Sequence, residues 1–323
     1  MKKPKVLVTR RWPAVVEEKL KNLYDVTLNT SDMPMDNNDF SEAFGRFDAI
    51  LPTVTDLIPA EVFDVKNIRT RVLANFGVGY SHIDTTAAKS CNVIVTNTPD
   101  VLSDCTADIT LTLILMAARR AGEGERELRA GEWSGWRPTH LVGTKVSGKT
   151  LGIIGFGRIG QEVAKRAHHG FGMKILVQNR SQIKNEILLQ TNASQVDSLD
   201  DLLPVVDFLS LHCPGGNENR HLISSYELSK MKNDAVLINT ARGEVVDDEA
   251  LINALKSNII RGAGLDVFEG EPNLNLNYLD CKNVVLLPHL GSATKETREA
   301  MGFRVMDNLE DFFRNKAPRD QIF

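Results

Sequence analysis

Short runs of β-branched and aliphatic residues alternate along the chain with segments whose apolar residues recur at helical spacing. In the first third the runs are VLVT (6–9), DVTL (25–28), AIL (49–51), RVLANF (71–76) and VIVTN (93–97). Between them, residues 14–23 and 81–90 carry the periodicity of amphipathic helices. A second series reads LGIIG (151–155), KILVQ (174–178), FLSLH (208–212), AVLINT (235–240), GAGLDV (262–267) and VVLLP (284–288). These later runs are almost continuously apolar, which marks strands covered on both faces. Alternation of strand and helix predicts parallel sheets flanked by helices. The pattern therefore predicts an α/β protein with two doubly wound parallel-sheet domains. No short-period repeat, low-complexity segment or long flexible linker interrupts it.

The first α/β series ends at the turn Pro99–Asp100. Asp104 is placed to cap a long apolar helix running through Arg120. A loop with Gly122, Gly124, Gly131, Gly135 and Gly143 follows, carrying Trp133 and Trp136, and the second series begins near Thr150. After Pro288, residues 295–314 have helical spacing that the second sheet does not need. They are expected to return to the first domain and make it discontinuous. One domain is then 1–99 plus 290–323, and the other 100–289, including an arm over 104–145. The arm's apolar helix and its tryptophans need burial, so it is the expected surface of a homodimer.

A length of 323 residues suits two domains. With 38 Lys and Arg against 42 Asp and Glu, the net charge of −4 offers no basic face for nucleic acid or an anionic membrane. The longest apolar stretch, ITLTLILMAA (109–118), is about half a bilayer span. The N-terminal MKKPKVLVTRRWP lacks the long apolar core of a secretory leader. Cys91, Cys105, Cys213 and Cys281 form no CxxC pair and keep no ligand spacing with histidine. They are expected as free thiols in a reducing cytoplasm, with no metal site.

Gly155-Phe-Gly157-Arg-Ile-Gly160 follows directly on the strand LGII and opens the helical run IGQEVAKRAHHGFG. That context turns a weak motif into a dinucleotide signal. The glycines permit a tight turn, let backbone amides approach a pyrophosphate, and let helix and strand pack closely. The helix N-terminus then presents its positive dipole end to the phosphates. The next strand ends in Asn179-Arg180-Ser181, where an NAD site usually places an acid for the ribose 2′-hydroxyl. A carboxylate would repel a 2′-phosphate, whereas a guanidinium binds it. NADP(H) is therefore favoured as cofactor, with NAD(H) through Asn179 as the alternative.

Three further segments lie at the ends of predicted strands: Asn239-Thr240-Ala241-Arg242-Gly243, Gly264–Pro272 and Leu287-Pro288-His289-Leu290-Gly291-Ser292-Ala293-Thr294. Together with the glycine turn they resemble the D-isomer-specific 2-hydroxyacid dehydrogenase family, over nearly the whole chain. ANFGVGYSHID (74–84), the Arg–Glu–His set and the NRS turn are most similar to its glyoxylate/hydroxypyruvate reductases. The resemblance implies Arg242, Glu271 and His289 as a catalytic trio acting on a small 2-oxo or 2-hydroxy acid. The chemistry agrees. A guanidinium clamps the acid's carboxylate and polarises its carbonyl. An imidazole ordinarily titrates near neutrality and suits proton transfer to the developing alkoxide. A carboxylate on the other ring nitrogen orients the imidazole and favours its charged form.

The resemblance further implies substrate contacts from the backbone of Val78 and Gly79. It places Arg158 and Ile159 at the pyrophosphate, Asp266 on the nicotinamide amide, and cofactor contacts at Thr106, Cys213, Pro214, Thr240, His289 and Gly291. Two departures stand out. After Pro214 the usual threonine-rich run is replaced by GGNENRHL, with Asn219 in place of a hydroxyl. His140 lies where related reductases carry a tryptophan that reaches the neighbouring subunit's substrate pocket; the alternative is an exposed loop histidine. The pocket is expected near Leu51, Val78, Trp136 and His140. The rival readings are a phosphoglycerate dehydrogenase-like enzyme, which usually brings an added regulatory domain, and a dinucleotide-sensing corepressor-type binding protein. A formate dehydrogenase is disfavoured because the partner of His289 is Glu271, where those enzymes use glutamine.

Overall fold

The computed structural model describes residues 2–323. The chain divides into two compact units, one ending at Leu102 and completed by Ala293–Phe323, the other spanning Ser103–Ser292. The first crossing falls just after the Pro99 turn, because residues 99–102 still belong to that turn and the next helix starts at Ser103.

The first unit holds a five-stranded sheet of β1 (Lys5–Val8), β2 (Asp25–Leu28), β3 (Ala49–Leu51), β4 (Val72–Ala74) and β5 (Ile94–Thr96). All pairings are parallel, in the order β2-β1-β3-β4-β5. The inner strands β3 and β4 are buried at every position, as their unbroken apolar runs require. The helix Lys295–Phe313 completes this unit. Thr294 caps it by accepting from the Thr297 amide at 3.2 Å. At Gly302 a Cβ would come within 2.6 Å of Val16, so this helix lies tightly on Ala14–Leu23. Beyond it, Asp320 pairs with Arg304 at 2.6 Å, and Asn308 donates to the Asn97 carbonyl at 3.2 Å.

The second unit holds a seven-stranded parallel sheet. Its strands are β6 (Thr150–Ile154), β7 (Lys174–Gln178), β8 (Ala193–Val196), β9 (Phe208–Leu211), β10 (Val236–Asn239), β11 (Gly262–Leu265) and β12 (Val284–Leu286). The order β12-β11-β10-β9-β6-β7-β8 is that of a Rossmann sheet, with its switch point between β6 and β9. The register pairs Ile154 with both Gln178 and Leu211, so the chain leaves β6, β7 and β9 at one level.

The structure departs from the sequence reading in three places. ASQV (193–196) is a strand that periodicity missed: it is short, polar and at the sheet edge. The apolar helix runs Ser103–Ala118, and Asp104 is not its cap. It lies in the first turn, exposed, and pairs with Arg166 at 2.9 Å. The glycine-rich stretch after Arg120 is partly helical, over Ala121–Arg129. Charge pairs at helical spacing offset the low propensity of Gly122 and Gly124: Arg120 with Glu123 at 2.7 Å, and Glu125 with Arg129. Among the described residues no disulfide forms and no helix is long and apolar enough to cross a membrane.

Candidate active site

The glycine turn is built by close backbone approach. Gly155 adopts φ +85°, and a Cβ there would lie 2.5 Å from the Cys213 amide nitrogen. A Cβ on Gly160 would lie 2.6 Å from the Gly155 carbonyl oxygen. By contrast, nothing stands within 4 Å of a Cβ built on Gly157, the N-cap of the helix Arg158–Phe171. No side chain caps this helix, whose first turn begins at Arg158 and Ile159. This cradle fits a pyrophosphate.

Asn179 serves the turn itself. Its Oδ1 accepts from the Phe156 amide at 3.1 Å, and its Nδ2 donates to Ser181 O and Oγ at 3.0 and 3.1 Å. Arg180 points outward and pairs with Glu218 at 2.7 Å. Cys213 contributes backbone; burial pushes its thiol up to about 11, so it stays un-ionised. Pro214 accepts from Asn219 Nδ2 at 2.9 Å. Deeper in, Thr106 Oγ1 donates to the Gly291 carbonyl at 3.3 Å, and Thr240 Oγ1 shares a hydrogen bond with Thr110 Oγ1 at 2.9 Å. Thr110, with no mark in the sequence beyond its helical register, ties the Thr240 hydroxyl to the helix backbone, since it also donates to the Thr106 carbonyl at 2.8 Å.

Arg242, Glu271 and His289 lie on the loops that leave β10, β11 and β12. His289 Nδ1 lies 2.8 Å from Glu271 Oε2, and Glu271 Oε1 accepts from the Phe268 amide at 2.9 Å. Burial alone would raise the Glu271 carboxyl, but His289, the Phe268 amide and Arg242 outweigh it and hold the group below the ordinary range. His289 Nε2 keeps no partner among the described residues. Arg242 donates from Nη1 to its neighbouring Ala241 carbonyl at 2.6 Å. Burial lowers its pKa against the pull of Glu244 and Glu271, and no carboxylate closes a salt bridge with it among the described residues. A half-buried guanidinium with spare donors can bind a carboxylate through its fork.

Two side chains support the turns that carry Arg242 and His289, and the first of them escaped the sequence reading. Asn239, fully buried, donates to the Arg242 carbonyl at 2.9 Å and accepts from the Ala241 amide at 3.0 Å, so it shapes the turn that aims Arg242. Asp266 accepts from the Leu290 amide at 2.6 Å and the Gly291 amide at 2.7 Å. It thereby holds His289 in its left-handed backbone conformation, φ +55°. Burial raises the Asp266 carboxyl, opposed by those two amides and by His289.

Val78 and Gly79 belong to the other unit. There, Asn75 Nδ2 donates to the carbonyls of Gly77 and Gly79, at 3.0 Å each, and Asn97 Nδ2 donates to that of Val78 at 2.8 Å. With the carbonyls held, the amides of Gly77, Val78 and Gly79 show no acceptor among the described residues. Asn75 and Asn97 carried no signal beyond their place in NFGVG and VTN. Leu51 is fully buried in β3 and presents no surface to a substrate. His140 pairs with Glu127 at 2.8 Å within its own arm, whereas Trp136 is 82% exposed.

Comparison with known proteins gives consistent matches. Residues 111–291 match the family described as D-isomer specific 2-hydroxyacid dehydrogenase, NAD binding domain. The glyoxylate reductase of Thermococcus litoralis is 44% identical over 324 residues, covering 99% of this chain and 97% of that protein. The structure of a glyoxylate reductase from Paecilomyes thermophila superposes with a TM-score of 0.87 at 31% identity, covering 100% of this chain and 99% of the other. An NADPH-dependent glyoxylate/hydroxypyruvate reductase from Sinorhizobium meliloti, in complex with NADP and malonate, gives 0.87 at 32% identity, covering 99% and 97%.

Proposed function

This chain belongs to the D-isomer specific 2-hydroxyacid dehydrogenase family, and from that premise we propose that it is an NADP(H)-preferring reductase of small 2-oxo acids, glyoxylate and hydroxypyruvate foremost, yielding D-2-hydroxy acids. The observation that carries this reading is the His289–Glu271 pair at 2.8 Å beside a cation with unspent donors, Arg242.

A nicotinamide cofactor supplies the hydride when bound. The glycines and amides of Gly155, Gly157, Arg158, Ile159 and Gly160 would hold its pyrophosphate. Asn179, Arg180 and Ser181 would serve its adenosine ribose, with Arg180 binding a 2′-phosphate. Thr106, Cys213, Pro214, Thr240, Asp266 and Gly291 would complete the cofactor site. Arg242 binds the substrate carboxylate and polarises the adjacent carbonyl. Within their own unit, the backbone amides of Val78 and Gly79 are further candidate donors to a carboxylate. His289, charged, gives its Nε2 proton to the carbonyl oxygen as negative charge develops there. Glu271 orients the ring through Nδ1 and stabilises its charged form. The same groups run the oxidation in reverse, with His289 as base. We place the enzyme in the cytoplasm as a homodimer formed through the arm 104–145, on which Leu128, Trp133, Trp136 and Val142 are exposed.

Steady-state oxidation of NADPH and NADH against glyoxylate, hydroxypyruvate, pyruvate and 3-phosphohydroxypyruvate tests the assignment. His289→Gln is expected to cut kcat by about two to four orders of magnitude, the usual worth of a general acid. Near-normal turnover in that variant would remove the mechanism.

A further inference from the structure

The loop after β9, Gly215-Gly216-Asn217-Glu218-Asn219-Arg220, takes no part in the chemistry above. It is nevertheless firmly built. Asn219 Nδ2 donates to the Pro214 carbonyl at 2.9 Å, the Gly216 amide donates to Glu244 Oε1 at 3.2 Å, and the His221 amide donates to the Glu244 carbonyl at 2.8 Å. The short turn Asn217–Asn219 is thus tied on both sides, with Glu218 on its open side, 81% exposed. From there Glu218 Oε2 accepts from Arg180 Nη1 at 2.7 Å. Arg180 follows Asn179, whose side chain is bonded to the glycine turn. A carboxylate from the β9 loop therefore meets the guanidinium at the end of β7.

Electrostatics gives this meeting two consequences. Before Arg180 can grip a phosphate with its fork of donors it must leave Glu218. The carboxylate left behind then repels the phosphate's charge. A ribose 2′-hydroxyl suffers neither penalty, and a carboxylate accepts its hydrogen bond. We propose that Glu218 is a cofactor-specificity residue, competing with the 2′-phosphate for Arg180 and so tempering the preference for NADP(H) over NAD(H). The proposal rests on the reading of Arg180 given above. It assigns to the β9 loop the acidic role that NAD enzymes give to the end of the second strand. The exposed ion pair itself contributes little to stability, so its effect falls on the ligand.

The test is calorimetric titration of the full chain with adenosine 2′,5′-bisphosphate and with AMP, and then with NADPH and NADH, at low and high salt. Glu218→Gln is expected to raise affinity for the 2′-phosphorylated ligand of each pair, relative to the other, about five- to tenfold, with a larger gain at low salt. An unchanged ratio, or equal shifts in both ligands of a pair, overturns the proposal. In an Arg180→Ala background the gain from Glu218→Gln shrinks if the two compete; a gain that survives in full overturns the competition. Arg180→Ala alone tests the underlying reading: it abolishes the preference for the 2′-phosphate if Arg180 binds it. An unmoved ratio defeats that reading, whatever Glu218→Gln does.

Discussion

At the scale of single residues, the site separates groups whose type announces a role from groups whose role depends on what they touch. Arg242, Glu271 and His289 were legible as candidate chemistry through the family resemblance of their segments, since each alone has an ordinary structural use. Asn239, Thr110, Asn75 and Asn97 were not, because a side-chain amide or hydroxyl has no meaning until its partners are known. Asp266 was legible only as a cofactor contact implied by resemblance; that both its oxygens also hold the turn carrying His289 was not. The Glu271–His289 pair leads to a kinetic prediction. His289, the Phe268 amide and Arg242 hold the Glu271 carboxyl below the ordinary carboxylate range. Glu271→Gln removes that charge from the Nδ1 side of the ring. The kcat/KM for glyoxylate reduction should therefore fall by about two orders of magnitude in steady-state assays. An unchanged kcat/KM would detach Glu271 from the proton transfer.

At the scale of elements, long apolar runs forced the buried strands, and the glycine turn forced the entry to the helix Arg158–Phe171. The polar edge strand β8 lacked that signal. The helix Ala121–Arg129 was hidden by its glycines and revealed by ion pairs that only a helical path brings together. The returning helix Lys295–Phe313 was legible as a surplus amphipathic segment, but its contact was not. Gly302 lies so close to Val16 that Gly302→Ala should overpack this interface and cost about 1–3 kcal/mol, read as a lower Tm in thermal unfolding. An unchanged Tm would mean that the two helices separate without cost.

At the scale of the whole molecule, the exposed aromatic and aliphatic side chains of the arm carry the prediction of a dimer. Light scattering after size exclusion should give about twice the chain mass of 35.8 kDa, and Trp136→Asp should shift it toward the monomer. A wild-type mass of one chain would leave the arm without that role. The sequence by itself determined the α/β class and the site of the dinucleotide turn, because periodicity and glycine geometry are local properties of the chain, while the candidate trio came from the family resemblance of the segments that carry it. Only the tertiary structure decided that His289 meets Glu271 across eighteen positions, that Asn239 and Asp266 hold the loops, and that Glu218 reaches Arg180. Those meetings follow from strand order and register, and side chains on different strands become neighbours only when the sheet has formed.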